Sequence, residues 1–185
     1  MSKIILVTGG SRSGKSVFAE NKAAELGGDS VLYLATAIPT DDDMKERIRL
    51  HQERRNHSWD THEGFKDIPE ALMETEKNTA LLDCVTVFIT NYMFDDLSRD
   101  FDTISKDEIA ALQEQILAEL ERVVKTARKE EKNLIIVTNE VGMCIVPPYR
   151  MGRIFSDING KANEMLASLS DEVYLSVCGI PMQLK

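Results

Sequence analysis

Gly9-Gly10-Ser11-Arg12-Ser13-Gly14-Lys15-Ser16 satisfies the pattern GxxxxGK[ST] at every fixed position. An apolar run, Ile4 to Thr8, precedes it and a helical pattern follows, so the glycines fall at a strand-to-helix turn. Successive backbone N–H groups of such a loop point at phosphate oxygens, and the helix N-terminus adds positive potential. Lys15 then reaches the β and γ phosphates, and the Ser16 hydroxyl is placed to hold Mg²⁺. The chemistry predicted is binding of a nucleoside triphosphate and work on its phosphates. A Mg²⁺ site also needs a hard carboxylate oxygen after a buried strand. Asp83, closing Ala80-Leu81-Leu82, is the first candidate, and Glu140, following Leu134 to Val137, is the second.

The segment from Met44 to Arg55 carries five cationic residues, Lys45, Arg47, Arg49, Arg54 and Arg55, in a chain of formal net charge −9. On a helix Arg47, His51, Arg54 and Arg55 share one face. A charged face of this kind is ordinarily just solvated. Beside a phosphate loop it has another use, because arginine forks match phosphate oxygens bidentately. A neutral imidazole such as that of His51 is also able to attack phosphorus. The loop alone does not choose among kinases, switches and motors. A GTPase switch is disfavoured because no Asn-Lys-x-Asp base-reading motif is present. Asp157-Ile158-Asn159-Gly160 fits DxxG only formally.

These groups need elements to hold them. The apolar runs predict strands at Ile4 to Thr8, Ser30 to Thr36, Thr79 to Asp83, Asn133 to Thr138 and Glu172 to Val177. A short strand is expected over Ser58 to Glu63, and a closing one after Gly179-Ile180-Pro181. Helices are expected from Lys15 to Leu26, stopped by Gly27-Gly28, and from Asp41 to Arg55, capped by Thr40 or Asp41. Further helices are expected from Ile68 to Glu76, Lys106 to Glu131 and Arg153 to Leu169. In the longest, Ile109, Leu112, Ile116, Leu120, Val123 and Ala127 form one core-facing stripe. Asp95 to Ser105 reads as a loop. Alternating strands and helices predict a mostly parallel sheet with helices on both faces, and ligands at the carboxyl ends of its strands.

The 185 residues suit one domain, residues 1–185, with no repeat, low-complexity tract or linker. The acidic excess disfavours a general nucleic-acid binder. No window approaches the roughly 18 apolar residues of a membrane span, and the N-terminal apolar run is too short for a signal peptide. Cys84, Cys144 and Cys178 sit in apolar stretches at no metal-ligand spacing, which predicts buried thiols in a reducing compartment, the cytoplasm.

The chain resembles the bifunctional adenosylcobinamide kinase/adenosylcobinamide-phosphate guanylyltransferase family. The resemblance is carried by Gly-Gly-Ser-Arg-Ser-Gly-Lys-Ser after Val-Thr, by Leu-Tyr-Leu-Ala-Thr-Ala, and by Arg-Ile-Arg-Leu-His-Gln-Glu-Arg-Arg. It continues through Leu-Leu-Asp-Cys-Val-Thr, Val-Thr-Asn-Glu-Val-Gly-Met, Arg-x-Phe-x-Asp-x-x-Gly-x-x-Asn and the closing Asp-Glu-Val-Tyr-Leu-Ser-Val-Cys-Gly-Ile-Pro. These blocks run in order over almost the whole chain. The likeness implies a RecA-like P-loop NTPase fold of the α/β class. It also implies phosphorylation of the corrinoid adenosylcobinamide by ATP or GTP, then transfer of GMP from GTP to that phosphate. Through the likeness, His51 is the residue that carries GMP, with Lys15 as its catalytic companion. Nucleotide contacts are implied at Gly9 to Ser16, Ala35, Thr36, Ala37, Gln52, Glu53, Arg54, Arg55, Glu63 and Asp83, with Ser16 and Asp83 on Mg²⁺. A homotrimer with sites near subunit boundaries is implied too. Leu50 stands where some relatives have a second histidine, Asp83 where many have Glu, Ser156 where arginine is frequent, and Cys144 where glycine is. A base for the kinase step is left open between Asp83 and Glu140. The rival reading is a nucleotide-binding regulator, or a kinase of another small molecule without guanylyl transfer.

Overall fold

The computed structural model describes residues 2–38 and 56–185. The expected charged helix Asp41 to Arg55, with His51 and Gln52 to Arg55, lies outside the described residues.

Seven strands form a single sheet: β1 (Ile4–Gly9), β2 (Val31–Ala35), β3 (Asp60–Glu63), β4 (Thr79–Asp83), β5 (Asn133–Val137), β6 (Glu172–Val177) and β7 (Ile180–Gln183). Their order across it is β3-β2-β4-β5-β1-β6-β7. Every pairing is parallel except β6 with β7, which is an antiparallel hairpin. Successive side chains of a strand point to opposite faces, and the core divides accordingly. Ile4, Leu6, Leu32, Leu34, Ala80, Leu82, Leu134 and Ile136 face the larger cluster. Ile5, Val7, Val31, Tyr33, Leu81, Ile135 and Val137 face the smaller one, under α1 (Lys15–Gly27). Both faces of the central strands are thus dry, which is why they read as continuous apolar runs rather than alternating ones.

The larger cluster is covered by α2 (Ile68–Glu74), α3 (Val85–Phe94), α4 (Lys106–Lys129) and α5 (Arg150–Leu169). The apolar stripe of α4 is buried as expected from Leu112 to Ala127, with Ile109 partly buried at its start. Ser105 and Glu108 close a reciprocal capping box on that helix, an arrangement in which the serine alone contributes about 1 kcal/mol. Arg128 and Lys129 sit favourably in its last turn.

The sequence patterns place no element over α3. Its β-branched residues disfavour a helix, yet Val85, Phe88, Ile89, Tyr92 and Met93 are all buried between the sheet and α4 and α5. Tertiary burial overrides local propensity there. α5 begins at Arg150 rather than Arg153, since the Arg150 guanidinium is drawn in to the carbonyls of Phe101, Asp102 and Ile104. Asp157 to Gly160 falls in the middle of α5, so DxxG here forms no phosphate loop. The expectation of buried thiols is corrected at two positions. Cys144 and Cys178 are exposed because each lies on a connecting turn rather than in a strand. No described helix is long and apolar enough to cross a membrane.

Candidate active site

The phosphate loop sits where the pattern requires, between the end of β1 and the first turn of α1. Two backbone features explain its glycines. Gly14, the N-cap of α1, has φ 89°, and a Cβ there would lie 3.0 Å from Gly179 Cα. A Cβ on Gly9 would lie 2.4 Å from the Ser176 carbonyl oxygen. Both are close approaches that only glycine makes without displacement. Arg12 takes a left-handed φ of 55° in the same loop, the kind of strained position that functional loops retain.

The β6–β7 hairpin clamps the loop from behind. Ser176 Oγ donates to the Ser13 carbonyl at 2.7 Å, and the Gly179 N–H donates to it at 2.9 Å. On the inner side the polar groups are left wanting. Ser13 Oγ and Thr8 Oγ1 are buried and have no hydrogen-bond partner among the described residues. Lys15 is buried and folds back over the loop to donate to the Gly10 carbonyl at 3.0 Å. Burial pushes its pKa below the usual lysine range, while Cys84 and Asp83 oppose that shift. A desolvated ammonium with carbonyl and carboxylate neighbours is held ready for polyanionic phosphate.

Asp83 closes β4, two strands away from β1 across β5. Tyr33 donates its hydroxyl to Asp83 Oδ2 at 2.9 Å. Thr36 ties the strand tips together: its Oγ1 accepts from the Cys84 N–H at 2.8 Å and donates to the Cys84 carbonyl at 2.9 Å. The Asp83–Cys84 peptide is cis. Burial, with the Asp83 charge adding to it, raises the Cys84 thiol to about 11, so this cysteine is a neutral packing group.

The expected nucleotide contacts outside the loop divide. Ala35 and Thr36 are buried at the end of β2, with the Thr36 hydroxyl spent on β4. Ala37 and Glu63 line a cavity of about 390 Å³ with His62, Phe65 and Lys66 at the carboxyl ends of β2 and β3. The buried His62 Nε2 has no hydrogen-bond partner among the described residues. Patterning gives no hint of His62, because its place in this cavity depends on the β2–β3 pairing.

Mg²⁺ suits the donors present. Ser16 stands at the second residue of α1, half-buried, and its hydroxyl and the Asp83 carboxylate are hard oxygens. No group of three His, Cys, Asp or Glu among the described residues forms a metal cage. Mg²⁺ does not need one, because it takes one or two protein oxygens and completes its shell with phosphates and water.

Glu140 also belongs to this end of the sheet. Its N–H donates to the Gly9 carbonyl at 3.2 Å, and its Oε1 accepts from the Gly142 N–H at 2.7 Å.

A parallel sheet with a glycine loop after β1, a lysine and serine opening the next helix, and an acid closing β4 defines a P-loop nucleotide-binding protein. Residues 5–184 match the model of the cobinamide kinase / cobinamide phosphate guanyltransferase family, and the chain belongs to that family. It is similar to the bifunctional adenosylcobalamin biosynthesis protein CobU of Escherichia coli, at 41% identity over 98% of this chain and 99% of that one. It is also similar to CobU of Salmonella typhimurium, at 39% identity over 98% of this chain and 99% of that one. The bifunctional protein CobP of Pseudomonas aeruginosa is 33% identical, over 97% and 96%. Among solved structures, the KaiC-like protein PH0186 of Pyrococcus horikoshii is 12% identical over 94% of this chain and 70% of that one, with a TM-score of 0.47. The flagellar accessory protein FlaH of Methanocaldococcus jannaschii is 16% identical over 99% and 78%, also at 0.47.

Proposed function

We propose that the chain phosphorylates the hydroxyl of adenosylcobinamide with ATP or GTP, and then transfers GMP from GTP to the phosphate so formed. The full-length kinship with bifunctional relatives, at up to 41% identity, carries this reading, and the P-loop is intact in geometry as well as sequence. A single domain, residues 1–185, houses both reactions, in a cytoplasmic homotrimer.

Lys15 binds the β and γ phosphates, the loop amides from Gly9 to Ser16 cradle them, and Ser16 with Asp83 would hold Mg²⁺. When bound, that ion neutralises developing charge on the phosphate oxygens. In guanylyl transfer an imidazole nitrogen of His51 attacks the α-phosphorus. The bond from that phosphorus to the bridging oxygen breaks, and pyrophosphate leaves. A phosphate oxygen of the corrinoid then attacks the same phosphorus, the P–N bond breaks, and His51 is regenerated. Arg54 and Arg55 steady the α-phosphate and leaving group, with Gln52 and Glu53 beside them. Ala35, Thr36, Ala37 and Glu63 border the rest of the nucleotide.

α-labelled GTP tests the covalent step. Incubation with Mg²⁺ should leave acid-labile, base-stable label on the wild-type chain and none on His51→Ala. Label persisting in that variant removes His51 from the role.

A further inference from the structure

The two reactions make different demands on a base. Phosphoryl transfer begins with a hydroxyl, whose proton must leave as the oxygen attacks the γ-phosphorus. Guanylyl transfer begins with a neutral imidazole and ends with a phosphate that is already ionised. Neither nucleophile has an O–H to lose, so only the first reaction needs a carboxylate base.

Asp83 and Glu140 stand on either side of β5's carboxyl end, and their surroundings differ. Asp83 accepts the Tyr33 hydroxyl on Oδ2 and lies in the electrostatic reach of Lys15. One Asp83 carboxylate oxygen is thus taken by a hydroxyl donor, and the group faces the lysine of the phosphate loop. Glu140 is fixed differently. The Asn139 N–H and Nδ2 both donate to Thr86 Oγ1 at 2.9 Å. The Asn139 carbonyl accepts from Asn159 Nδ2 at 2.9 Å and from Asn163 Nδ2 at 3.1 Å. Thr138 Oγ1 in turn donates to Asn163 Oδ1 at 2.7 Å. The peptide before Glu140 is thereby gripped by α3 and α5, while the Glu140 N–H is held on Gly9 at the mouth of the phosphate loop. Gly142 holds one carboxylate oxygen, and the other has no partner among the described residues. Such an arrangement holds a carboxylate with one uncommitted oxygen on a rigid backbone beside Gly9, as a general base requires.

We propose that Glu140 is the general base of phosphoryl transfer and is idle in guanylyl transfer. The inference rests on the bifunctional reading above. The corrinoid hydroxyl oxygen forms its bond to the γ-phosphorus as its proton passes to Glu140. The bond from the γ-phosphorus to the β,γ-bridging oxygen breaks, and its electron pair leaves on the nucleoside diphosphate. Glu140 later returns the proton to solvent.

Glu140→Gln in the full chain tests this, because the amide keeps an oxygen for Gly142 but takes no proton. Two assays are run separately, adenosylcobinamide with ATP and adenosylcobinamide phosphate with GTP. Kinase kcat should fall about 10²-fold or more, while guanylyl transfer and His51 labelling stay within about threefold. An unchanged kinase, or an equal fall in both activities, overturns the proposal. If Glu140→Gln does not fold, Glu140→Ala, which also removes the proton acceptor, decides in its place. A loss confined to the kinase supports the base, and an equal loss or none refutes it. A wild-type chain that makes neither product would instead refute the bifunctional reading itself.

Discussion

The two ends of the sheet differ in which polar groups are tied to a partner. At the amino ends of the strands the polar groups are closed on one another. Asp171 accepts from the Ile4 N–H at 2.7 Å and from Arg128 at 2.8 Å, and Arg128 donates onward to the Ser2 carbonyl. Lys132, buried, donates to the carbonyls of Thr75 and Lys77. At the carboxyl ends Thr36 and Asn139 are tied to their neighbours, but Ser13 Oγ, Thr8 Oγ1 and Asn159 Oδ1 are buried without partners among the described residues, and Lys15 is desolvated over a single carbonyl. Each unmet group there costs free energy that ordinary folding would remove. The contrast teaches that one end secures the fold while the other carries the phosphate loop and its buried lysine.

Lys15→Ala should break that contrast most visibly. Both activities should fall about 10²–10³-fold, the usual loss on removing one charge-stabilising donor. Thermal stability should hold or rise slightly, since a desolvated ammonium is removed with it. Differential scanning calorimetry beside the two product assays checks this, and a large drop in Tm would place Lys15 in the fold instead.

Asp171→Asn is the converse. It weakens the Arg128 and Ile4 contacts, for a loss of about 1 kcal/mol, or roughly 2–4 °C in Tm. Activity per folded molecule should not change. Arg128's hydrogen bond holds the Asp171 carboxyl below its ordinary value. Its contribution is therefore present above the unfolded carboxylate pKa and is lost as pH falls through the folded one. The variant should flatten that acid limb, and an unaltered limb would mean the contact is idle.

The smallest effect is a proton count. Burial lowers the Lys15 pKa, and bound phosphate charge must raise it again. Triphosphate binding should therefore take up protons on the alkaline side, and affinity should fall as pH rises through the lowered value, by at most about tenfold per pH unit. Without added nucleotide the chain, conversely, gains stability as pH rises between that value and the unfolded one. Calorimetric titrations in two buffers of different ionisation enthalpy measure the uptake. None at alkaline pH would contradict the burial argument.

How much of this was legible in the sequence follows from how local each feature is. Ile4 to Ser16 announces strand, loop and helix because consecutive residues carry the whole signal. The α4 stripe is legible because period alone sets it. Other features depend on partners far along the chain. The Ser176 and Gly179 grip on Ser13 joins residues more than 160 apart. The Asn159 and Asn163 clamp comes from a different element than the Asn-Glu pair it holds. α3 is hidden because its residues favour strands and only packing makes them a helix. Cys144 and Cys178 misled because apolar neighbours mark burial in a strand and not in a turn.

The central claim is that one phosphate loop serves two phosphorus atoms. Product analysis tests it most directly: the wild-type chain with GTP, Mg²⁺ and adenosylcobinamide, followed over time by mass spectrometry. Adenosylcobinamide phosphate should appear first and adenosylcobinamide-GDP should then accumulate with pyrophosphate. GTP hydrolysis to GDP with no corrinoid product would contradict the account.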